Sequence, residues 1–294
     1  MAPTWSRSIS AGRNRAGYLL FAAALLAAAP AFAQDDGPKP GYPEPESLVG
    51  VSPADAIRYP FVAALSRTNG NSRVYFCGGA LIAPQWILTT AHCFRTPDGG
   101  RVGAQNVWGE AGGTSLGEVP EEAQVRVAGI IVHPGYDAES QDNDIALVRL
   151  ARPVGPLVAD IATTRAQGDR AEAIGLGFGT FYEGRLAQVR ARRSALVPPL
   201  RQAVLRIAPP GACALRRDLG EAASRPEQIC TTAPAAATCI GDSGSPLVAA
   251  GPGGTDVVIG LASFGSSCGE EPTVTVYTRV STYAGWIAET MRRP

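Results

Sequence analysis

From Leu48 onward the chain is a succession of short apolar runs broken by glycine, proline, asparagine and aspartate. Phe61 to Leu65, Ala80 to Ile82, Ile87 to Thr90, Gln124 to Val132 and Ile145 to Leu150 come first. Ala195 to Val197, Ser245 to Ala249, Asp256 to Ala262 and Val274 to Val280 follow. Many short strands at regular spacing, with turn signals between them, predict an all-β sandwich or barrel. Helical spacing enters only over Thr282 to Arg292, where Trp286, Ile287 and Met291 fall on one face. Arg152 to Pro156, with two prolines and a glycine, is the expected internal crossover, and no internal repeat is visible. The 294 residues, 45% of them hydrophobic, suffice for a single large all-β unit, which often runs to ~200–250 residues.

The first 33 residues have a different texture. Arg7, Arg13 and Arg15 precede the alanine-rich apolar run Tyr18 to Ala29, and Ala31-Phe32-Ala33 supplies a small-x-small cleavage site. This is the pattern of a secretory signal, with an uncleaved anchor as the alternative. The run is short for a membrane span, which needs about 20 residues. Export to the periplasm or the medium puts the six cysteines where disulfides form. Residues 34–47 are acidic and carry Pro38, Pro40, Pro43 and Pro45. Such a segment has little to bury and reads as an extended pro-segment or linker. A formal net charge of zero argues against nucleic acid as a partner. Only two histidines, His92 and His133, exclude a multi-histidine metal site by count, and the lack of a Cys-x-x-Cys pair leaves structural zinc little to stand on.

Three stretches carry chemistry. Gly241-Asp242-Ser243-Gly244-Ser245-Pro246-Leu247 sets a serine between two glycines. That could display a nucleophile on a tight turn open to a reacting carbonyl, or be an ordinary surface turn. Cys77-Gly78-Gly79-Ala80-Leu81 and Thr90-Ala91-His92-Cys93 bring a histidine beside a cysteine sixteen residues from another. Bridging the two would fix the backbone under the imidazole and contribute ~3 kcal/mol. Asp142-Asn143-Asp144 opens the apolar run Ile145 to Leu150. Asp144 either enters the core to meet a partner such as an imidazole N–H or caps a strand facing solvent, and Asp142 suits the cap better.

The segments Thr90-Ala91-His92-Cys93, Asp144-Ile145-Ala146-Leu147 and Gly241-Asp242-Ser243-Gly244 resemble the three signature blocks of the trypsin/chymotrypsin-like serine proteases. They stand in the same order, histidine then aspartate then serine, and the resemblance runs from about Leu48 to the C-terminus. It implies two packed six-stranded antiparallel β-barrels, about 60–150 and 166–280, with a C-terminal helix over 282–292 in a peptidase domain of residues 48–294. It also implies Ser243 as nucleophile, His92 as base and acid, Asp144 as orienter, and the N–H groups of Gly241 and Ser243 as oxyanion hole. Ser263 would bond the triad aspartate, and Ser263-Phe264-Gly265 would pair with an extended substrate. Phe264 departs from the family's usual tryptophan. His133 matches a structural position.

The implied disulfides are Cys77–Cys93, Cys213–Cys230 and Cys239–Cys268. Leu48-Val49-Gly50-Val51 resembles the family's mature N-terminus, whose freed amino group would pair with Asp242, although Ser47 stands where the family has a basic residue. The pocket floor maps to Ala237, flanked by Thr238, with walls at Gly265 and Thr275. These imply small or medium uncharged residues before the scissile bond rather than Arg or Lys. The implied protein is a secreted, monomeric serine endopeptidase acting on proteins or peptides, with no cofactor and no membrane association after signal cleavage. Some family members carry a calcium loop in the region matching Gly109 to Glu122; Glu110, Glu118, Glu121 and Glu122 stand there, but their loose spacing reads as an acidic surface loop, with calcium as the alternative. A protease-fold binding protein without catalysis is the alternative. Ser245, where the family commonly has glycine, has no explanation at this level.

Overall fold

The computed structural model describes residues 51–293 except 56, 71, 97, 114, 116–120, 156, 169–171, 179–198, 210–211, 216–218, 220–224, 234–240 and 267–272. After β1 (Val51–Pro53), six strands close an antiparallel barrel: β2 (Val62–Asn69), β3 (Ser72–Ala83), β4 (Trp86–Thr89), β5 (Val107–Ala111), β6 (Gln124–Val132) and β7 (Ala146–Leu150). Their order around the barrel is β2-β3-β4-β7-β6-β5. Alternation drives it: in β6 Val125 and Val127 turn inward while Arg126 turns out. Leu65, Leu81, Ile87, Leu88, Ile145, Leu147 and Leu150 are all completely or almost completely buried. Each such side chain removed from water is worth ~1.5–3 kcal/mol.

The crossover through Arg152 leads to β8 (Asp160–Ile161) and a second barrel. Its strands are β9 (Glu172–Gly177), β10 (Arg201–Ile207), β11 (Gln228–Ala233), β12 (Pro246–Ala250), β13 (Asp256–Gly265) and β14 (Thr273–Arg279). They run β10-β11-β14-β13-β12-β9, and pairing of β9 with β10 closes the ring. Strand order is therefore the same in both barrels: first, second, third, sixth, fifth, fourth. This is an internal repeat of topology that the sequence does not display. β1 adds to the outside of β10, and β8 runs parallel to β13. One cluster of buried side chains joins Leu81 and Leu147 of the first barrel to Val248, Val258 and Leu261 of the second.

A tight turn, Val280–Tyr283, precedes the C-terminal helix Ala284–Arg292. The helix starts two residues later than the spacing predicts because that turn winds more tightly than an α-helix. Ile287 is buried, and Trp286 and Met291 pack partly buried against the main core. His133 meets the edges of the Tyr283 and Trp286 rings at 5.3 and 5.0 Å between centroids, and burial holds its imidazole below the ordinary value. That is a packing role. The apolar run at Ala195 to Val197 lies outside the described residues, as does the whole leader. Among the described residues no helix is long and apolar enough to cross a membrane.

Candidate active site

β4 ends at Thr89 and the chain turns through Thr90 and Ala91 into the short turn His92–Phe94. Cys93 is bridged to Cys77 of β3, with α-carbons 6.2 Å apart, so the backbone beneath His92 is tied at both ends. Asp144 arrives just ahead of β7. Its side chain is fully enclosed, which a carboxylate tolerates only when its oxygens are filled by donors. They are. The backbone N–H of His92 donates to Oδ1 at 2.9 Å, the His92 Nδ1–H to Oδ2 at 2.8 Å, and the Ser263 hydroxyl to Oδ2 at 2.5 Å. The Thr278 hydroxyl holds the Asp144 carbonyl at 2.8 Å. An ionised carboxylate only accepts, so the ring proton sits on Nδ1 and Nε2 is left with a lone pair. Burial pushes the imidazole down, but the charge and hydrogen bond of Asp144 outweigh it and leave the pKa raised above 6.5.

The loop before Asp144 separates the two aspartates. Gln141 and Asn143 adopt left-handed backbone, φ 57° and 52°, a conformation asparagine tolerates better than most residues. The Asn143 amide donates to the Gly135 carbonyl at 2.8 Å and accepts from the Tyr283 hydroxyl at 3.2 Å. Asp142 pairs with Arg225 at the partly exposed rim, whereas Asp144 goes inside. Tyr136 lies near the same carboxylate, and burial followed by the Asp144 charge raises its phenol to about 12.

The serine loop is seated by backbone contacts to both barrels. The Gly78 N–H of β3 donates to the Ser243 carbonyl at 2.8 Å. Ser245 N–H donates to the Asp242 carbonyl and Gly244 N–H to the Ala262 carbonyl, each at 2.8 Å. Gly244 has φ 79°, and a Cβ there would stand 2.2 Å from the Thr89 hydroxyl and 2.6 Å from the Gly78 carbonyl. Only glycine fits, and that close approach brings the loop against the end of β4 from which His92 projects. Ser243 stays half-exposed while Asp242 and Ser245 are buried.

A bulge explains Ser263. Ala262 pairs with Tyr277 and Phe264 with Val276, so Ser263 is the extra residue on β13, and the added twist re-aims its hydroxyl at Asp144. β12 pairs with β13 only from Asp256 to Leu261, which leaves Ser263 to Gly265 with β14 on one side and, among the described residues, no strand on the other. Gly265 and Thr275, the two residues expected as pocket walls, are direct cross-strand neighbours on β13 and β14. Phe264 packs by the second bridge, Cys213–Cys230, with α-carbons 5.8 Å apart. Ala237, Thr238, Cys239, Cys268 and Leu48 lie outside the described residues.

Among the described residues, Cys77, His92 and Cys93 form the group of potential metal ligands that come close together, and the two sulfurs are bonded to each other. Glu110 meets Arg73 at 3.3 Å and the Ser66 hydroxyl, and Glu118 lies outside the described residues. Three residues at the site were not foreseen: Thr278, Tyr136, and Tyr75, whose hydroxyl donates to the Gly241 carbonyl at 2.6 Å.

Two joined β-barrels with a histidine–aspartate pair and a serine loop at their meeting edge define a serine-protease architecture. The family model described as Trypsin matches residues 48–287, and the chain belongs to that family. It is similar to serine protease 56 of Mus musculus, 33% identical over 258 residues that cover 83% of this chain and 38% of that protein. It is also similar to serine protease 1 of Rattus norvegicus, 30% identical, covering 91% of this chain and 96% of that protein. Transmembrane protease serine 9 of Rattus norvegicus is 30% identical over 83% of this chain and 22% of its own length. The chain thus spans little more than a third of serine protease 56.

Proposed function

We propose that this protein is an exported serine endopeptidase that cleaves peptide bonds through His92, Asp144 and Ser243. The observation that carries the reading is the grip of the buried Asp144 carboxylate on both N–H groups of His92, at 2.9 and 2.8 Å. It fixes the tautomer that leaves Nε2 free to take the Ser243 proton. The Ser243 oxygen then bonds to the scissile carbonyl carbon, and the tetrahedral oxyanion is received by the N–H groups of Gly241 and Ser243. As the carbon–nitrogen bond breaks, His92 returns the proton to the leaving amine. Water, deprotonated by the same imidazole, attacks the acyl-enzyme, and Ser243 regains its proton as the acid product departs.

The open edge of Ser263 to Gly265 would take an extended substrate as an added strand. With Thr275 directly opposite Gly265, and with Ala237 as floor, the pocket would favour small or medium uncharged residues before the scissile bond. Discrimination of that kind is modest, ~1–3 kcal/mol per methylene.

Activation by cleavage between Ser47 and Leu48 completes the reading. Val51, three residues after Leu48, is already fixed by β1 to Ala203 in the second barrel, so a freed Leu48 amine has about 10 Å of extended chain with which to reach Asp242. Ser47 itself fits the expected pocket, which makes self-activation the simplest route. A peptide-library digest by the processed protein tests the function. Cleavage after alanine, serine, valine or threonine is expected, whereas dominant cleavage after Arg or Lys contradicts the pocket assignment.

A further inference from the structure

The two glycines that bear positive φ in the serine loop, Gly241 and Gly244, are held in different ways. Gly244 is locked by steric contact, but Gly241, with φ 99°, has peptide planes that can turn about an unbranched α-carbon. The next two carbonyls are fixed by backbone donors, that of Asp242 by Ser245 N–H and that of Ser243 by Gly78 N–H. The Gly241 carbonyl is instead held by a side chain, the hydroxyl of Tyr75, 166 residues away in sequence, at 2.6 Å. Each of the three carbonyls therefore has a donor that fixes its peptide plane. In a trans peptide the N–H points opposite its carbonyl, so the Ser243 N–H is turned away from the Asp242 carbonyl, and Tyr75 pins the Gly241–Asp242 plane that lies between the Gly241 and Ser243 N–H groups.

The surroundings are built for that phenol. A Cβ on Gly78 would stand 2.0 Å from the Ser245 hydroxyl oxygen, and one on Gly177 would stand 2.0 Å from Asp242 Oδ1 and 3.2 Å from the Ser245 oxygen. Side chains of Asp242 and Ser245 thus fill the slots two glycines leave beneath the loop. The Tyr75 ring packs edge-on against Phe178, with centroids 6.1 Å apart. Burial and the Asp242 charge push the phenol well above its ordinary value, so it remains a donor across the working range.

We propose that Tyr75 is a positioning residue for the oxyanion hole, holding the Gly241 carbonyl so that the Gly241 and Ser243 N–H groups converge on one point. Tyr75 does not touch substrate, and its role rests on the serine-protease reading above. Ser245 belongs to the same polar pocket, which gives its departure from glycine a location and a neighbourhood.

The test uses processed full-length protein and Tyr75→Phe, which removes one oxygen and keeps the ring against Phe178. Turnover of a peptide substrate is measured per titrated active site, with inhibition by a matching peptide boronate, whose serine adduct is tetrahedral, and by the product peptide. Removal of a direct oxyanion donor costs on the order of a hundredfold or more in kcat. For a residue acting through that donor, kcat falls by about tenfold, with KM within about twofold. The boronate weakens by the same factor as kcat and the product peptide binds as before. A Tyr75→Phe protein with wild-type kcat and boronate affinity overturns the proposal. So does a lower melting temperature with kcat per site unchanged, which marks a purely structural role. If the phenylalanine variant folds poorly, Tyr75→His, which keeps a ring donor, is compared with Tyr75→Leu, which has none, by kcat per titrated site; higher turnover in the histidine variant is expected, and equal turnover in the two overturns the proposal. Wild-type protein with neither turnover nor serine labelling overturns the protease reading and this inference together, whereas active wild type beside an unaltered variant overturns this inference alone.

Discussion

Asp144 is the residue on which the site turns, because a fully enclosed carboxylate is destabilising unless every direction of approach is used. Here the donors include a backbone N–H, an imidazole and a serine hydroxyl. Asp144→Asn should leave the fold and lower kcat by about four orders of magnitude, as expected when the imidazole loses its tautomer partner. Ser263→Ala removes one charge-assisted bond worth ~1.5–3 kcal/mol, and kcat/KM on a peptide substrate should fall by about ten- to a hundredfold if that bond serves catalysis. The pKa of His92 is raised above 6.5, and in the role of base proposed for it the imidazole must be neutral to work. The acid limb of kcat/KM should therefore lie above pH 6.5, and lie lower in Asp144→Asn. The same shift contributes stability that is complete below the unfolded-state value and is lost as pH rises through the folded one. At Ser245 there is no spare volume beside Gly78 and Gly177. Ser245→Val should cost ~1–3 kcal/mol by overpacking, read as a fall in melting temperature. The three residues proposed as the triad could be named from the sequence because each sits in a short block whose chemistry is local. Tyr75 and Thr278 could not, since a tyrosine or threonine on a strand is ordinary and their contacts lie 166 and 134 residues away.

At the level of elements, the strands with continuous apolar runs could be read directly, and those without could not. β6, β7, β12, β13 and β14 each coincide with such a run. β10 did not announce itself, because Ala203 and Leu205 face inward between Gln202, Val204 and Arg206, and Val204 is itself largely exposed. β5 and β9 are interrupted by glycine and glutamate, which dilute any pattern. The bulge at Ser263 was equally hidden: register is a property of the pair β13 and β14, not of either strand. The bridge between Cys77 and Cys93 closes a loop of sixteen residues around β4 and the His92 turn. Replacing both cysteines by alanine should cost ~3 kcal/mol, measured by denaturant unfolding, and should lower kcat as well because the same turn carries His92, the proposed base. A variant as stable as wild type would assign the rigidity of that turn to Asp144 and the barrel alone.

For the molecule as a whole, two barrels of identical strand order meet along one core. The first supplies His92 and Asp144, while the second supplies Ser243 and the hydroxyls of Ser263 and Thr278 that close on Asp144. The shared strand order leaves no trace in the sequence because it is carried by pairing, not by recurring side chains. Activation belongs to this scale too. With a Leu48 amine paired to Asp242, activity should decline as pH rises past the amine's pKa, ~8 when free and higher once paired. N-terminal sequencing of active protein should begin at Leu48, and a different start would remove that scheme. The central claim is that Ser243 is a nucleophile made reactive by His92 and Asp144. Exposing processed wild type, Ser243→Ala and His92→Ala to a fluorophosphonate probe measures it most directly. The account predicts rapid labelling of wild type, none at Ser243→Ala, and labelling slowed by orders of magnitude at His92→Ala. Correctly processed wild type that does not label, or a Ser243→Ala protein that labels equally well, would contradict it.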